Sequence, residues 1–250
     1  MKNFVVVADK RTGSSFFQEA LSSHPNIKCF DEMFIIRGSK KTGKRRGQYL
    51  YRHKKQTEGM DIEDYIFWLF DTKPNKSVGF RFLYPQDSHW KALKTIKNRK
   101  IPVIHLVREN LLGMVLSKKT KGLFEVKEQN FDVNSIIADM KNHEKKQNEY
   151  FKKLKDHKNL LTLKYEDIIG RTEGEKGEVK KFGAFNLVSD MTTYIPLEIS
   201  HRICEFLNEE PMELYSNVTK KNSPNPWDYI KNKDELKEAL KKEGYDKWML

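Results

Sequence analysis

Five short, mostly apolar runs stand out from an otherwise polar chain. They are FVVVA (4–8), IKCF (27–30), SVGFRF (77–82), IPVIHLV (101–107) and LLTLKY (160–165). Continuous apolar runs of this length are typical of strands that are buried within a sheet. The pattern therefore predicts five strands, which are spread over the first two thirds of the chain.

Amphipathic segments fill the intervals between these runs and follow the last of them. Helical spacing of apolar residues predicts helices over 13–23, 60–70, 87–98, 110–119, 133–156, 196–208 and 233–243. Pro25 closes the first helix, and Asp61 starts the second. The inner face of the long helix is predicted to hold Ile136, Ile137, Met140, Tyr150, Phe151 and Leu154.

The alternation of strands and helices predicts the fold class. It indicates βαβ units and a parallel sheet with helices on both faces. We therefore expect an α/β fold over residues 1–250, a single domain with a central, mostly parallel sheet flanked by helices. Ligands of such sheets bind beyond the carboxyl ends of the strands. Residues 9–15 and 108–117 lie at two of these ends.

Two polar segments interrupt this pattern. Residues 38–58 form a basic, glycine-containing insertion, which either binds an acidic acceptor such as a glycan or is a solvated loop. Residues 170–183 are rich in glycine and charge, and we expect them to form a mobile loop. Neither segment has the composition of a linker between two domains.

Charge narrows the class of partner. The formal net charge is +12 and the isoelectric point is about 9.4. A basic excess of this size favours anionic partners such as nucleotides, nucleic acid, acidic glycans or membrane surfaces. The alternative is a set of solvated surface lysines without a common partner.

Cysteine usage and the absence of long apolar runs indicate a location. Cys29 and Cys204 belong to no metal-binding motif, and we expect two core thiols in a reducing compartment and no bound metal. No apolar run approaches the ~20 residues of a membrane span. FVVVA is too short for a signal peptide, and charged residues follow it. We therefore expect a cytoplasmic protein without a membrane span.

The turn after the first strand has the composition of an anion cradle. It consists of Lys10, Arg11, Thr12, Gly13, Ser14 and Ser15. Glycine permits a tight turn, the helix start presents N–H groups, and the hydroxyls and the guanidinium add donors. The pattern is neither GxxxxGK[ST] nor GxGxxG, which disfavours a Walker A loop and a dinucleotide site. The alternative is a serine-capped helix start with basic neighbours.

A second candidate lies where the fourth run ends, in VIHLVRENLLGMVLS (103–117). Arg108 follows the strand, and Ser117 lies nine residues further on, on the predicted helix. An arginine at a strand end and a serine on the next helix can face one phosphate. The alternative is that Arg108 forms an ion pair with Glu109 at the start of the helix.

Taken together, RTGSSF and IHLVRENLLGMVLS resemble two elements of the sulfotransferases that use 3′-phosphoadenylyl sulfate. The resemblance implies that residues 10–15 bind the 5′-phosphosulfate of the donor, and that Arg108 and Ser117 bind its 3′-phosphate. It is closer to the bacterial, carbohydrate and tyrosylprotein branches than to the cytosolic arylsulfotransferases. In the cytosolic group the arginine-to-serine spacing is usually eight rather than nine.

The same resemblance assigns further residues. HPNIKCFDEMF (24–34) is similar to the segment that carries a carboxylate general base, which makes Glu32 the base and Asp31 its alternative. Arg81 resembles a basic strand position that faces the active site, and Tyr165 resembles a strand-end tyrosine near the adenine. Lys220 and Lys221 are candidates to cover the 3′-phosphate. His24 and His105 are expected to be structural.

The implied reaction is transfer of a sulfuryl group to a hydroxyl or amine of an unidentified acceptor, such as a glycan or a small molecule. Arg11 and Lys10 would stabilise charge on the leaving phosphate, and no metal is needed.

One rival function is that of a P-loop kinase, but the chain has no evident Walker A lysine or Walker B aspartate. Another is a basic nucleotide-binding or nucleic-acid-binding protein, which would present a basic stripe on a recognisable module. We expect no nucleic-acid partner.

Overall fold

A computed structural model describes residues 2–34, 57–90, 92–120, 128–174, 180–182, 186–218, 227 and 230–248. Within these ranges the strands of the main sheet are β1 (Phe4–Ala8), β2 (Ile27–Glu32), β3 (Ser77–Leu83), β4 (Val103–Val107) and β5 (Leu160–Lys164). All of their pairings are parallel, in the order β2-β3-β1-β4-β5. The five strands and the parallel sheet predicted from the sequence are confirmed.

Helices alternate with the strands of the main sheet, and in the described part of the chain three more come after its last strand, β5. Within the described residues they are α1 (Ser14–Ser23), α2 (Ile62–Asp71), α3 (Tyr84–Trp90), α4 (Ala92–Asn98), α5 (Leu111–Lys119), α6 (Val133–Leu154), α7 (Tyr165–Ile168), α8 (Leu197–Leu207) and α9 (Lys233–Lys242). A 3-10 turn over Asp246–Trp248 follows. None of these helices has the length and apolarity needed to cross a bilayer.

β1 lies at the centre of the sheet and divides two hydrophobic cores. Phe4, Val6 and Ala8 pack on one face against α1 and α8, whereas Val5 and Val7 pack on the other against α2, α4 and α6. All five side chains are fully buried. Alternate residues of a strand point to opposite faces, so the continuous apolar run supplies both cores.

A second sheet, which the sequence analysis did not predict, follows the first. Its antiparallel strands are β6 (Thr172–Glu173), β7 (Lys180–Phe182), β8 (Asn186–Tyr194) and β9 (Tyr215–Val218). The loop expected over 170–183 is therefore wrong where β6 and β7 pair with β8. Backbone pairing overrides the loop-like composition because β8 supplies partners to both strands.

The structure bears on two of the predicted helices. The helix predicted over 87–98 is covered by α3 and α4, which lie on either side of residue 91, and residue 91 lies outside the described residues. The Asp87 carboxylate accepts a 3.1 Å hydrogen bond from the Leu93 backbone N–H. In α6, Phe151 was placed on the inner face but is 42% exposed. Tyr150 holds the buried position, and the next residue is rotated by about 100° around the helix axis.

Both cysteines are buried free thiols, as expected for core positions. Burial raises the pKa of the Cys29 thiol to about 12. A thiol with so high a pKa is almost entirely protonated near neutral pH, so Cys29 is a poor nucleophile.

Candidate active site

The loops that follow the five parallel strands converge at one edge of the sheet, which we call the carboxyl edge. The turn of residues 9–13 follows β1, and Asp31 and Glu32 end β2. Arg81 lies near the end of β3, Arg108 follows β4, and Tyr165 follows β5. Parallel strands present their carboxyl ends on one side, so the fold brings residues from five distant segments together.

The turn after β1 is tight and has left-handed backbone geometry. Arg11 has φ of 69° and Gly13 has φ of 79°. The Thr12 hydroxyl donates to the Asp9 carbonyl over 2.9 Å, and the Lys10 N–H donates to the Asp9 carboxylate over 2.7 Å. A Cβ at position 13 would lie 2.3 Å from the Tyr165 ring. Glycine is thus required there for conformation and for space.

Beneath this turn lies a buried polar pair that the sequence analysis did not identify. The Asp9 Oδ2 and the His143 Nδ1 are 2.6 Å apart, and both side chains are at most 6% exposed. His143 belongs to α6, which also supplies Gln147 to the Arg108 carbonyl over 2.9 Å. The long helix α6 therefore contacts the residues that directly follow β1 and β4. A polar residue on the apolar face of α6 was the available signal.

The side chain of Arg11 extends from the turn to α5. Its Nε and Nη2 both donate to the Ser117 hydroxyl, over 3.0 and 2.7 Å. Arg108 Nη1 donates to the Arg11 carbonyl over 3.1 Å. Burial first, and then the nearby charge of Arg108, lower the pKa of Arg11 below its ordinary value. Two neighbouring guanidinium groups repel each other, so an anion bound between them would be favourable.

The position of Arg108 is set by the residues at the end of β5. Its guanidinium carbon lies 4.5 Å from the centre of the Tyr165 ring. The Glu166 carboxylate accepts from the backbone N–H groups of Glu109 and Asn110, over 3.1 and 3.0 Å, and lies 3.9 Å from Arg108 Nε. That Nε is buried and has no hydrogen-bond partner among the described residues. The Arg108 guanidinium is thus held by the Tyr165 ring, the Glu166 carboxylate and the Arg11 carbonyl.

Arg81 connects the turn to the carboxylates of β2. It is 5% exposed, and its Nη1 donates to the hydroxyls of Ser15 and, over 3.4 Å, of Ser14. Its Nη2 pairs with Asp31 and lies 3.2 Å from Glu32 Oε1. Of the three arginines at the edge, Arg81 makes the most of these side-chain contacts, although the resemblance alone gave it little weight. The signal was a cation within an apolar strand.

The remaining residues singled out in the sequence are exposed, lie outside the described residues, or contact groups away from the turn after β1. The Lys10 side chain is exposed at the rim of the turn. Lys220, Lys221 and almost all of the basic segment 38–58 lie outside the described residues. His24 is buried and contacts the Glu210 carbonyl over 3.0 Å, and His105 contacts the Tyr84 hydroxyl over 2.6 Å.

Comparisons with known proteins bear on the fold. Neither a protein-family model nor a curated protein sequence matches the chain. Among solved structures, the sulfotransferase domain from the curacin biosynthetic pathway matches with a TM-score of 0.52 and 12% identity, covering 98% of this chain and 98% of that chain. The chain has the sulfotransferase fold. The resemblance seen in the sequence is confirmed at the level of fold.

Two further sulfotransferase structures match less closely. The enzyme from Alicyclobacillus acidocaldarius has a TM-score of 0.45 and 12% identity, covering 100% of this chain and 96% of that one. Mouse sulfotransferase SULT7A1, complexed with PAP, has a TM-score of 0.42 and 14% identity, and the match covers 99% of this chain and 87% of that one. The match to the curacin-pathway domain, at 12% identity, shows the fold alone, and it assigns no branch of the sulfotransferases.

Proposed function

We propose that the chain is a sulfotransferase that moves a sulfuryl group from 3′-phosphoadenylyl sulfate to an acceptor hydroxyl or amine. The observation that carries this proposal is the junction of Arg11, Arg108 and Ser117 at the carboxyl edge. Cationic and hydroxyl donors meet there beside a helix start, which suits a ligand with several anionic groups.

The donor would bind across this junction. The N–H groups and hydroxyls of residues 10–15 would hold the 5′-phosphosulfate at the start of α1. Arg108 and Ser117 would hold the 3′-phosphate, and the contact of Arg108 with the turn after β1 supports this role because it sets both cationic groups beside one another. Tyr165, which packs between Gly13 and Arg108, would contact the adenosine portion.

The chemical step would be an in-line displacement at sulfur. The acceptor oxygen forms a bond to sulfur while the bond from sulfur to the bridging phosphate oxygen breaks, and the acceptor proton passes to a carboxylate. Negative charge then develops on the leaving phosphate, where Arg11, Lys10 and the turn N–H groups would stabilise it. These side chains and N–H groups would stabilise the developing charge, so the proposal requires no metal.

Glu32 is the proposed general base, with Asp31 as the alternative. Both carboxylates lie beside Arg81, which in turn contacts Ser14 and Ser15 at the start of α1. A base in this position would be within reach of an acceptor that approaches the sulfuryl group from the β2 side.

A thermal-shift comparison tests donor binding against the rival functions. We expect 3′-phosphoadenosine 5′-phosphate at 100 Kd to stabilise the protein by about 2.7 kcal/mol, which corresponds to a rise in Tm of about 5–10 °C. ATP with Mg²⁺ and duplex DNA should give no comparable shift. Stabilisation by ATP alone would support a kinase, and stabilisation by DNA alone would support a nucleic-acid-binding protein.

Turnover is tested with donor labelled in the sulfuryl group. The acceptors are water and a pooled metabolite extract, and label that leaves the donor is counted after chromatography. The proposal predicts enzyme-dependent transfer to at least one of these acceptors without added metal. Labelling that never exceeds the enzyme-free rate would contradict it. We refer to this measurement below as the transfer assay.

A further inference from the structure

A buried glutamine contacts the proposed base, and no motif in the sequence pointed to it. Gln86 lies in α3 and is 7% exposed. Its Nε2 lies 3.3 Å from Glu32 Oε2, across a separation of 54 residues in the chain. The other oxygen of the same carboxylate, Oε1, faces Arg81. The two oxygens of Glu32 are therefore met by different donors.

The orientation of this amide is set by a second contact. Gln86 Oε1 accepts a 3.0 Å hydrogen bond from the Leu83 backbone N–H. An N–H group requires an acceptor, so the amide oxygen must face Leu83 and the NH₂ group must face Glu32. Gln86 is a short tether between the end of β3 and the carboxylate at the end of β2.

The neighbouring carboxylate has a different environment. Asp31 pairs directly with Arg81 Nη2, the same nitrogen that lies 3.2 Å from Glu32. Because Arg81 also contacts Ser15, the Asp31–Arg81 pair joins β2 to the start of α1. Asp31 is placed to neutralise and orient Arg81, whereas Glu32 is additionally contacted by the amide of Gln86.

We infer that Gln86 is a positioning residue, which holds the Glu32 carboxylate in the orientation needed to accept the acceptor proton while Asp31 serves as the counter-ion of Arg81. This inference rests on the proposed function and deepens it. A carboxylate held at both oxygens loses its freedom to rotate about the terminal side-chain bond. Misplacement of a catalytic group by about 1 Å can cost about 100-fold in rate.

Two substitutions remove the contact in different ways. Gln86→Met retains the length of the side chain but loses the amide. Gln86→Glu retains an acceptor for the Leu83 N–H and loses the donor to Glu32, so it tests the contact even if the methionine variant folds poorly. In the transfer assay we expect each to lower kcat about 10- to 100-fold and to leave KM for the donor within about threefold.

A double-mutant cycle shows whether Gln86 acts through Glu32. In a Glu32→Gln background, Gln86→Met should change the residual rate by less than about threefold, because no carboxylate remains to be held. In an Asp31→Asn background the same substitution should retain its full effect. Equal losses in the wild-type and Glu32→Gln backgrounds would overturn the inference, as would a wild-type kcat in both Gln86 variants.

Gln18→Met is the matched control. Its amide donates over 2.9 Å to the Cys29 carbonyl, so it also ties a neighbouring helix to β2 but contacts neither carboxylate. We expect its kcat to stay within about threefold of wild type. If Glu32→Gln itself retains wild-type turnover, the base assignment in the proposed function fails. If Glu32→Gln is inactive and the Gln86 variants are unimpaired, only the inference about Gln86 fails.

Discussion

Arg108 donates a hydrogen bond from Nη1 to the backbone carbonyl of Arg11, over 3.1 Å. The contact joins the residue that follows β4 to the middle of the turn that follows β1. Arg11 has a left-handed backbone, which costs free energy for a residue with a side chain and needs support from its surroundings. The two segments that form the proposed donor site are therefore fixed relative to each other.

Gly13→Ala should destabilise the fold. A Cβ at this position combines a left-handed backbone with a 2.3 Å approach to the Tyr165 ring. We expect a loss of about 2–5 kcal/mol in the free energy of unfolding, measured by urea denaturation. Gly59→Ala is the control, because Gly59 has φ of +84° but nothing within 4 Å of its added Cβ. Equal losses in the two variants would show that the Tyr165 contact is unimportant.

His105 should make the fold less stable in acid. Burial lowers the pKa of His105 to about 4, and its Nδ1 has no hydrogen-bond partner within the part of the chain that the structure describes. The unfolded chain binds a proton at this histidine below pH ~6.5, whereas the folded chain does not until pH ~4. Stability that is present above pH ~6.5 is thus lost as the pH falls toward 4.

The test compares wild type with His105→Leu by urea denaturation at pH 7 and pH 4. On going from pH 7 to pH 4, the free energy of unfolding should fall by roughly 3 kcal/mol less in the variant than in wild type, because the variant lacks the titrating ring. Parallel pH profiles for the two proteins would mean that the His105 pKa is not lowered by folding.

Much of the fold follows from local patterns, and the remainder depends on distant pairing. The five parallel strands coincide with the mostly apolar runs, and so the sequence predicts them at nearly the observed bounds. β6 and β7 were not predicted, because each is at most three residues long and owes its conformation to β8.

The candidate site divides in the same way. The turn at Gly13 and the arginine at 108 carry composition signals at strand ends, and the structure brings them into contact. Gln86 carries no such signal, because its partner Glu32 is 54 residues away in the chain. His143 is marked as a polar residue on the apolar face of α6, but this does not identify its partner Asp9, which is 134 residues away.

Arg11 should be needed for turnover rather than for folding. Loss of one donor to a developing negative charge typically costs 100- to 1,000-fold in kcat, and we expect Arg11→Ala to lose about this much. Arg11→Gly is the matched variant, because glycine removes the side chain and also relieves the left-handed backbone. The glycine variant should be as stable as wild type and equally inactive. Near-normal kcat in either variant would remove Arg11 from the chemistry.

Glu32→Gln should separate binding from chemistry. The amide keeps the size of the side chain but cannot accept a proton, so kcat in the transfer assay should fall by about 100- to 10,000-fold. The Tm shift given by 3′-phosphoadenosine 5′-phosphate should be retained. Asp31→Asn is the comparison, and a smaller loss is expected there. The reverse order of the two losses would assign the base to Asp31.

The central claim is that Arg108 and the turn after β1 hold two ends of one nucleotide. Calorimetric titration with 3′-phosphoadenosine 5′-phosphate and with adenosine 5′-phosphate tests it directly, because the two ligands differ only in the 3′-phosphate. Wild type should prefer the bisphosphate by about 10-fold or more, as expected for a charge-assisted contact worth about 1.5–3 kcal/mol. Arg108→Ala should lose most of this preference, and only the contribution of the Ser117 hydroxyl should remain. An undiminished preference in Arg108→Ala, or no preference in wild type, would contradict the account.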